Sequence, residues 1–135
     1  MSFEYIVEQT EKVCLEAVKL NGYVLKFVKK QTNEICLEAV KEYPNSLEFV
    51  KEQTEEICLV AVKQNGNSLR YVKDQTEEIC LEAVKQNGDS LQYVKKQTKE
   101  ICFEAIKSNV STILNFCDQN VMTYDIYREM MKHKQ

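Results

Sequence analysis

The chain has 135 residues, 44% of them hydrophobic, a formal net charge of -3, three glycines and one proline. That length suits one domain, and the scarcity of glycine and proline argues against turn-dense β architectures and long flexible linkers. A pI near 5.3 supplies no net positive field to gather nucleic acid or an anionic membrane.

The N-terminus, MSFEYIVEQTEK, has no basic stretch followed by an apolar run, and nowhere do eighteen uncharged apolar residues follow one another. The expected setting is the cytoplasm, with no membrane partner.

Sliding the chain against itself by 22 residues superposes Cys14, Cys36, Cys58, Cys80 and Cys102. With them comes the motif Gln-Thr-x-Glu-Ile-Cys-Leu-Glu-Ala-Val-Lys-x-Asn-Gly-x-Ser-Leu-x-Tyr-Val-Lys. A fixed period of this size marks a stacked array. About five units span residues 2–111 of a single domain covering 1–135. The first unit varies the motif at Val13 and Tyr23, the second replaces Asn-Gly with Tyr43-Pro44, and the third carries Val60 where others have glutamate. The sequence after Lys107 loses the Gly, Tyr and Cys slots, and residues 112–135 are expected to form a cap, since an end unit has one face against water.

Within each unit the signals give two short helices. Thr32, Thr54, Thr76 and Thr98 are N-cap residues, with Glu34, Glu56, Glu78 and Glu100 in the first turn, where a carboxylate meets the positive helix end. Apolar residues at offsets three, four, seven and eight from the threonine, as in Ile79, Cys80, Ala83 and Val84, form one face of a 3.6-residue period. Asn65-Gly66 and Asn87-Gly88 are expected to end the helix through positive φ. Ser46, Ser68 and Ser90 are expected to cap a second, shorter helix carrying Leu69, Tyr71, Val72 and their equivalents. At the C-terminal end Thr112 and Asn120 keep cap positions, Val121–Lys132 makes a last helix with Ile126, Met130 and Met131, and Tyr124 and Tyr127 take the cysteine and alanine slots. Helices of roughly ten and seven residues fall below the roughly 12–15 that are marginally stable alone, so each is held by its neighbours. The fold class is all-α: an α-solenoid of short helix pairs with a diverged C-terminal capping helix.

The stretch Glu78–Lys95, E-I-C-L-E-A-V-K-Q-N-G-D-S-L-Q-Y-V-K, resembles the helical-repeat family classed as domain of unknown function 4116, abundant in mimivirus-like giant DNA viruses and found in some bacteria. The likeness runs to about Lys107. It implies an array of short helices, no established activity and no functional residues to carry over, and it points to a giant-virus protein working in host cytoplasm.

Five of the six cysteines recur once per unit, so neighbours lie one layer apart, about 10 Å. That exceeds the ~7 Å Cα limit for a disulfide. The expected role of Cys14, Cys36, Cys58, Cys80 and Cys102 is that of small buried hydrophobes. Cys117 breaks the period and is the better candidate for an exposed thiol. There is no C-x-x-C pair and one histidine, His133, so zinc ligands and a Cys-His nucleophile are lacking. No phosphate-cradling glycine loop occurs. The expectation is no enzyme, no metal and no cofactor.

Other recurrent slots carry two readings each. The aromatic row Tyr5, Phe27, Phe49, Tyr71, Tyr93 suits packing between second helices, or a stacking platform. Gln9, Gln31, Gln53, Gln75 and Gln97 suit a hydrogen-bonded ladder joining successive connections, or a ligand-facing row. Lys19, Lys41, Lys63, Lys85 and Lys107, with Lys29, Lys51, Lys73 and Lys95, suit stabilisation of helix C-termini, or a phosphate track.

Recognition is better sought where units disagree. The slots Tyr23/Asn45/Asn67/Asp89, Lys26/Glu48/Arg70/Gln92 and Asn33/Glu55/Glu77/Lys99 change charge and size from unit to unit, as a graded partner-binding surface would and as drift at solvent positions also would. The expected function is a scaffold that presents Lys26, Glu48, Arg70, Gln92, Asn45, Asn67 and Asp89 to a viral or host protein. The alternatives are nucleic-acid binding along the lysines, which the charge disfavours, and self-assembly. The chain is expected to be a monomer or to self-associate weakly.

Overall fold

The computed structural model describes residues 8–133; Tyr5 of the aromatic row lies outside them. Among the described residues there are seven α-helices and four 3-10 helices, the first five α-helices alternating with the 3-10 helices, and there is no strand. The α-helices are α1 (Glu11–Leu20), α2 (Asn33–Glu42), α3 (Glu55–Gln64), α4 (Glu77–Gln86), α5 (Lys99–Ser108), α6 (Val110–Phe116) and α7 (Tyr124–Lys132). The 3-10 helices are Gly22–Phe27, Pro44–Phe49, Gly66–Tyr71 and Gly88–Tyr93. α1 to α5 stack side by side, the 3-10 helices form a second row, and each packs on its own unit and the next. This is the helical repeat solenoid that the 22-residue period predicts.

Each α-helix begins as the sequence indicates. The Oγ1 of Thr10, Thr32, Thr54, Thr76 and Thr98 accepts a hydrogen bond from the backbone N–H three residues on. The face at offsets three, four, seven and eight is the core: Ile57, Cys58, Ala61 and Val62, with Leu69 and Val72 from the second row, are all buried. The same pattern repeats around Cys36, Cys80 and Cys102.

The second helix is made differently from the expectation. Asn21, Asn65 and Asn87 end one helix and start the next: the Asn65 backbone N–H donates to Ala61 O at 3.0 Å while its Oδ1 accepts from Asn67 N–H at 3.1 Å. Asparagine is therefore the N-cap, and Ser46, Ser68 and Ser90 lie buried inside the 3-10 helices. Nor do the glycines supply positive φ, since no described residue adopts it. Tyr43-Pro44 keeps the architecture, because proline stands at the first helical position, where its fixed φ suits a helix start.

The C-terminal end departs in frame. Between Ile113 and Phe116 the chain holds one residue more than between Leu91 and Tyr93, and the tighter turn relaxes into α6, with Cys117 N–H donating to Ile113 O where Val94 N–H donates to Leu91 O three residues back. Thr112 is buried within α6 and is not a cap. Asn120 lies in a turn, and the N-cap of α7 is Thr123, 25 residues after Thr98 instead of 22. Tyr127, not Tyr124, thus falls in the cysteine slot. Ile126 and Met130 are buried, whereas Met131, expected on the same face, is 50% exposed. α7 packs on α5, and its exposed Asp125 pairs with Lys99 at 2.6 Å.

Candidate interaction surface

Most recurrent polar side chains are engaged within the array. Each glutamine clamps the connection of the following unit. Gln53 Nε2 donates to Tyr71 O at 2.8 Å and its Oε1 accepts from Lys73 N–H at 2.9 Å; Gln9, Gln31, Gln75 and Gln97 do the same one unit apart. This is the ladder of the first reading. It satisfies backbone groups that lie between helices and have no helical partner. Gln53→Leu should lower stability by about 1–2 kcal/mol, the cost of stranding the part-buried Tyr71 carbonyl while the exposed Lys73 N–H turns to water, as a shift in the urea midpoint at pH 7. A change below a few tenths of a kcal/mol would show that water replaces the clamp.

A second ladder uses one of the variable slots. Ser68 Oγ donates to Asn45 Oδ1 at 2.8 Å, Ser90 Oγ to Asn67 Oδ1 at 3.2 Å and Thr112 Oγ1 to Asp89 Oδ1 at 3.1 Å. Asn45, Asn67 and Asp89 therefore join neighbouring units, and their variation is limited to side chains with an acceptor oxygen. In the first unit Tyr23 fills this slot, packing on Tyr43 and Phe49 with ring centroids 5.7 and 6.2 Å away. Ser46 Oγ is left as the buried side-chain oxygen with no partner. Ser68→Ala should cost about 1 kcal/mol. Ser46→Ala, which removes an already unpaired hydroxyl, should be neutral or stabilising, and thermal melts of the two variants side by side would reveal the difference.

The thiols are the expected small hydrophobes. Cys14, Cys36, Cys58, Cys80 and Cys102 are at most 3% exposed. Burial pushes Cys36, Cys58 and Cys80 up to about 11 and Cys102 up to about 12, so they stay protonated at neutral pH. Cys117 is, as expected, the most open of the six. It is half-buried, because the extra residue in α6 sets it in the slot that Val28, Val50, Val72 and Val94 fill in earlier units.

The first lysine row follows the local-charge reading, whereas Lys29, Lys51, Lys73 and Lys95 lie two residues past the ends of their 3-10 helices and do not close them. Lys41, Lys85 and Lys107 close their helices and pair with Glu38, Glu82 and Glu104 one turn back. Lys73, Lys95 and Lys96 border an open groove of about 480 Å³ beside Asp74 and Glu77, so positive charge there is interleaved with negative. In the third variable slot Glu55 and Glu77 accept from Thr76 and Thr98 of the next unit at 3.5 and 3.0 Å.

Of the three variable slots, the one exposed throughout with no hydrogen bond to a neighbouring unit is the row Lys26, Glu48, Arg70 and Gln92, one residue per 3-10 helix. Beside it runs a half-buried bed of Phe27, Phe49, Tyr71 and Tyr93, of which Phe49, Tyr71 and Tyr93 pack against the core as the packing reading requires. The Arg70 guanidinium lies 5.2 Å from the Tyr71 ring centroid and 5.6 Å from that of Tyr93, bridging two units, and Lys26 Nζ lies 4.9 Å from the Phe27 ring. Leu114, 72% exposed, continues the row one unit on. Sequence reasoning stopped the array at 111 and missed it, although the 22-residue step from Gln92 leads to it.

The family described as Domain of unknown function (DUF4116) fits three overlapping segments, residues 10–54, 34–76 and 76–122. The chain belongs to the DUF4116 family. No curated protein and no solved structure matches it. The segment 76–122 carries the DUF4116 pattern through α6 and past Cys117, beyond the reach of the motif read from sequence. Among the described residues of this DUF4116 chain, no helix is long and apolar enough to cross a membrane, and no group of three or more His, Cys, Asp or Glu converges to hold a metal ion.

Proposed function

We propose that this chain is a non-enzymatic scaffold whose exposed row Lys26, Glu48, Arg70, Gln92 and Leu114 binds a protein partner. One observation carries the reading: the glutamine, asparagine, serine, threonine and cysteine slots are committed to contacts inside the array, while this row varies in charge, faces water and sets Lys26 and Arg70 over aromatic rings. Arginine beside tyrosine is the composition of energetically dominant interface positions, and an array presents such positions at regular steps. On the strength of the resemblance to repeats of mimivirus-like giant DNA viruses, the setting we propose is the cytoplasm of an infected host.

The experiment is affinity purification of the tagged chain from host-cell lysate after nuclease treatment, beside an Arg70→Glu/Gln92→Lys double variant checked for helicity by circular dichroism. Proteins retained by the first and lost with the second support the reading. An identical set with both refutes it.

Self-association has its own supporting observation. Tyr124, Tyr127 and Met131, spaced three and four residues apart along α7, are exposed by 73%, 55% and 50% and form one apolar stripe at the end of the stack. Sedimentation that moves to larger species with concentration, and that Tyr127→Glu abolishes, would favour this reading; a concentration-independent monomer would remove it.

A further inference from the structure

Cys102 and Cys117 stand apart from the other four thiols. The Sγ atoms of these two lie 3.8 Å apart, Cys102 within α5 and Cys117 at the C-terminal end of α6. In the earlier units the same place holds a cysteine and a valine, as with Cys80 and Val94, so the last helix pair alone brings two thiols together. Cys102 is fully buried, and Cys117 is half-buried, with its Sγ also 3.5 Å from Asp118 O.

We propose that Cys102 and Cys117 form a dithiol modification site that small disulfides oxidise to an intramolecular bridge. Cys117, the accessible member, attacks one sulfur of oxidised glutathione as its thiolate. A mixed disulfide forms, and the expelled glutathione thiolate takes up the proton Cys117 gave up. Cys102, as thiolate, then attacks Cys117 Sγ, a second glutathione leaves with the second proton, and the Cys102–Cys117 bond forms. Two electrons pass from the protein dithiol to the glutathione disulfide, and two glutathione thiols result. The sulfurs need to approach only from 3.8 Å to bonding distance, about 2 Å. Burial raises both thiols, Cys102 up to about 12, so exchange at neutral pH is slow and accelerates as pH rises. The bridge fastens α6 to α5, the helix against which α7 packs.

The native full chain is equilibrated with mixtures of reduced and oxidised glutathione at pH 8.5, quenched in acid, unfolded, and assayed for thiols and by peptide mass mapping. The expected result is loss of two of the six thiols in a monomer two hydrogens lighter, mapped to Cys102–Cys117. The bridged chain should melt about 5–10 °C higher, as expected for closing a loop of roughly 15 residues. Cys117→Val, which restores the residue of the preceding units and so keeps the fold, should retain its five thiols. Cys102→Ala should stop at the mixed disulfide on Cys117. Six thiols persisting at every ratio, a bridge to another cysteine or to a second chain, or a bridged form that melts lower would overturn the proposal.

Discussion

Gly66→Ala should destabilise the chain by about 2–3 kcal/mol, the range for a methyl group forced into a filled site. A Cβ on Gly66 would stand 2.3 Å from Ala83 O and 2.6 Å from Ser90 Oγ, both in the following unit. The first contact is with backbone, so relief requires α4 to move away from the 3-10 helix Gly66–Tyr71. That movement disturbs the bond from Gly66 N–H to Gln86 Oε1 at 2.7 Å. Gly66→Asn separates this cause from backbone preference. If the glycine served positive φ, asparagine would be tolerated better than alanine; since the cause is close approach, asparagine should be at least as damaging. Midpoints of urea unfolding for the two variants decide between them. The second unit is the internal counterpart: Pro44 holds the slot without an N–H to offer, and the equivalent glutamine, Gln64, donates to Val40 O. A junction can take a side chain there when its neighbours are chosen with it, and the junction at Gly66 is not so composed.

Raising the pH from 9 to 11 should unfold the array. The thiols of Cys36, Cys58 and Cys80 are held up near 11 and that of Cys102 near 12, against 9.0 when unburied. Below pH 9 both folded and unfolded chains keep these protons, and the stability is fully present. Above it the unfolded chain releases them while the folded chain holds them, so stability falls by about 1.4 kcal/mol per thiol for each pH unit until the folded value is passed. Four such thiols acting over two units are comparable to the roughly 5–15 kcal/mol that stabilises a domain. Circular dichroism during urea titration at fixed pH values checks this. Cys58→Ala, with one thiol fewer, should be less stable at pH 8 yet show a shallower decline. An equal slope would mean that the buried thiols do not drive the loss.

Much of the fold is legible in the sequence because each unit repeats its own instructions. The threonine caps, the core face around Ile57, Cys58, Ala61 and Val62, and the glutamine ladder all follow from residue type and spacing. Three readings went astray where one residue type serves two purposes. Glycine signals both positive φ and close approach; here approach governs. Serine commonly caps a helix, but Ser68 and Ser90 are buried bonding partners, because the asparagine three residues earlier already caps. The apparent variability of Asn45, Asn67 and Asp89 conceals a shared acceptor, visible only once the hydroxyl one unit away is in place.

The surface was partly legible. The row Lys26, Glu48, Arg70 and Gln92 was found by its variation, while its in-register continuation at Leu114 was lost because the array was ended at residue 111. The closeness of Cys102 and Cys117 was hidden by a change of frame, since one inserted residue turns a 3-10 helix into α6 and carries a thiol into a valine slot.

The sequence by itself determines the period, the helical class, the core face and the local caps, because these depend on interactions within a few residues and on a pattern that recurs five times. Tertiary structure alone decides what lies between units: which glycine touches which backbone, which hydroxyl finds an oxygen one unit away, and which two thiols meet. Those contacts join residues some 15 to 23 positions apart, and their partners are fixed only when the helices have stacked.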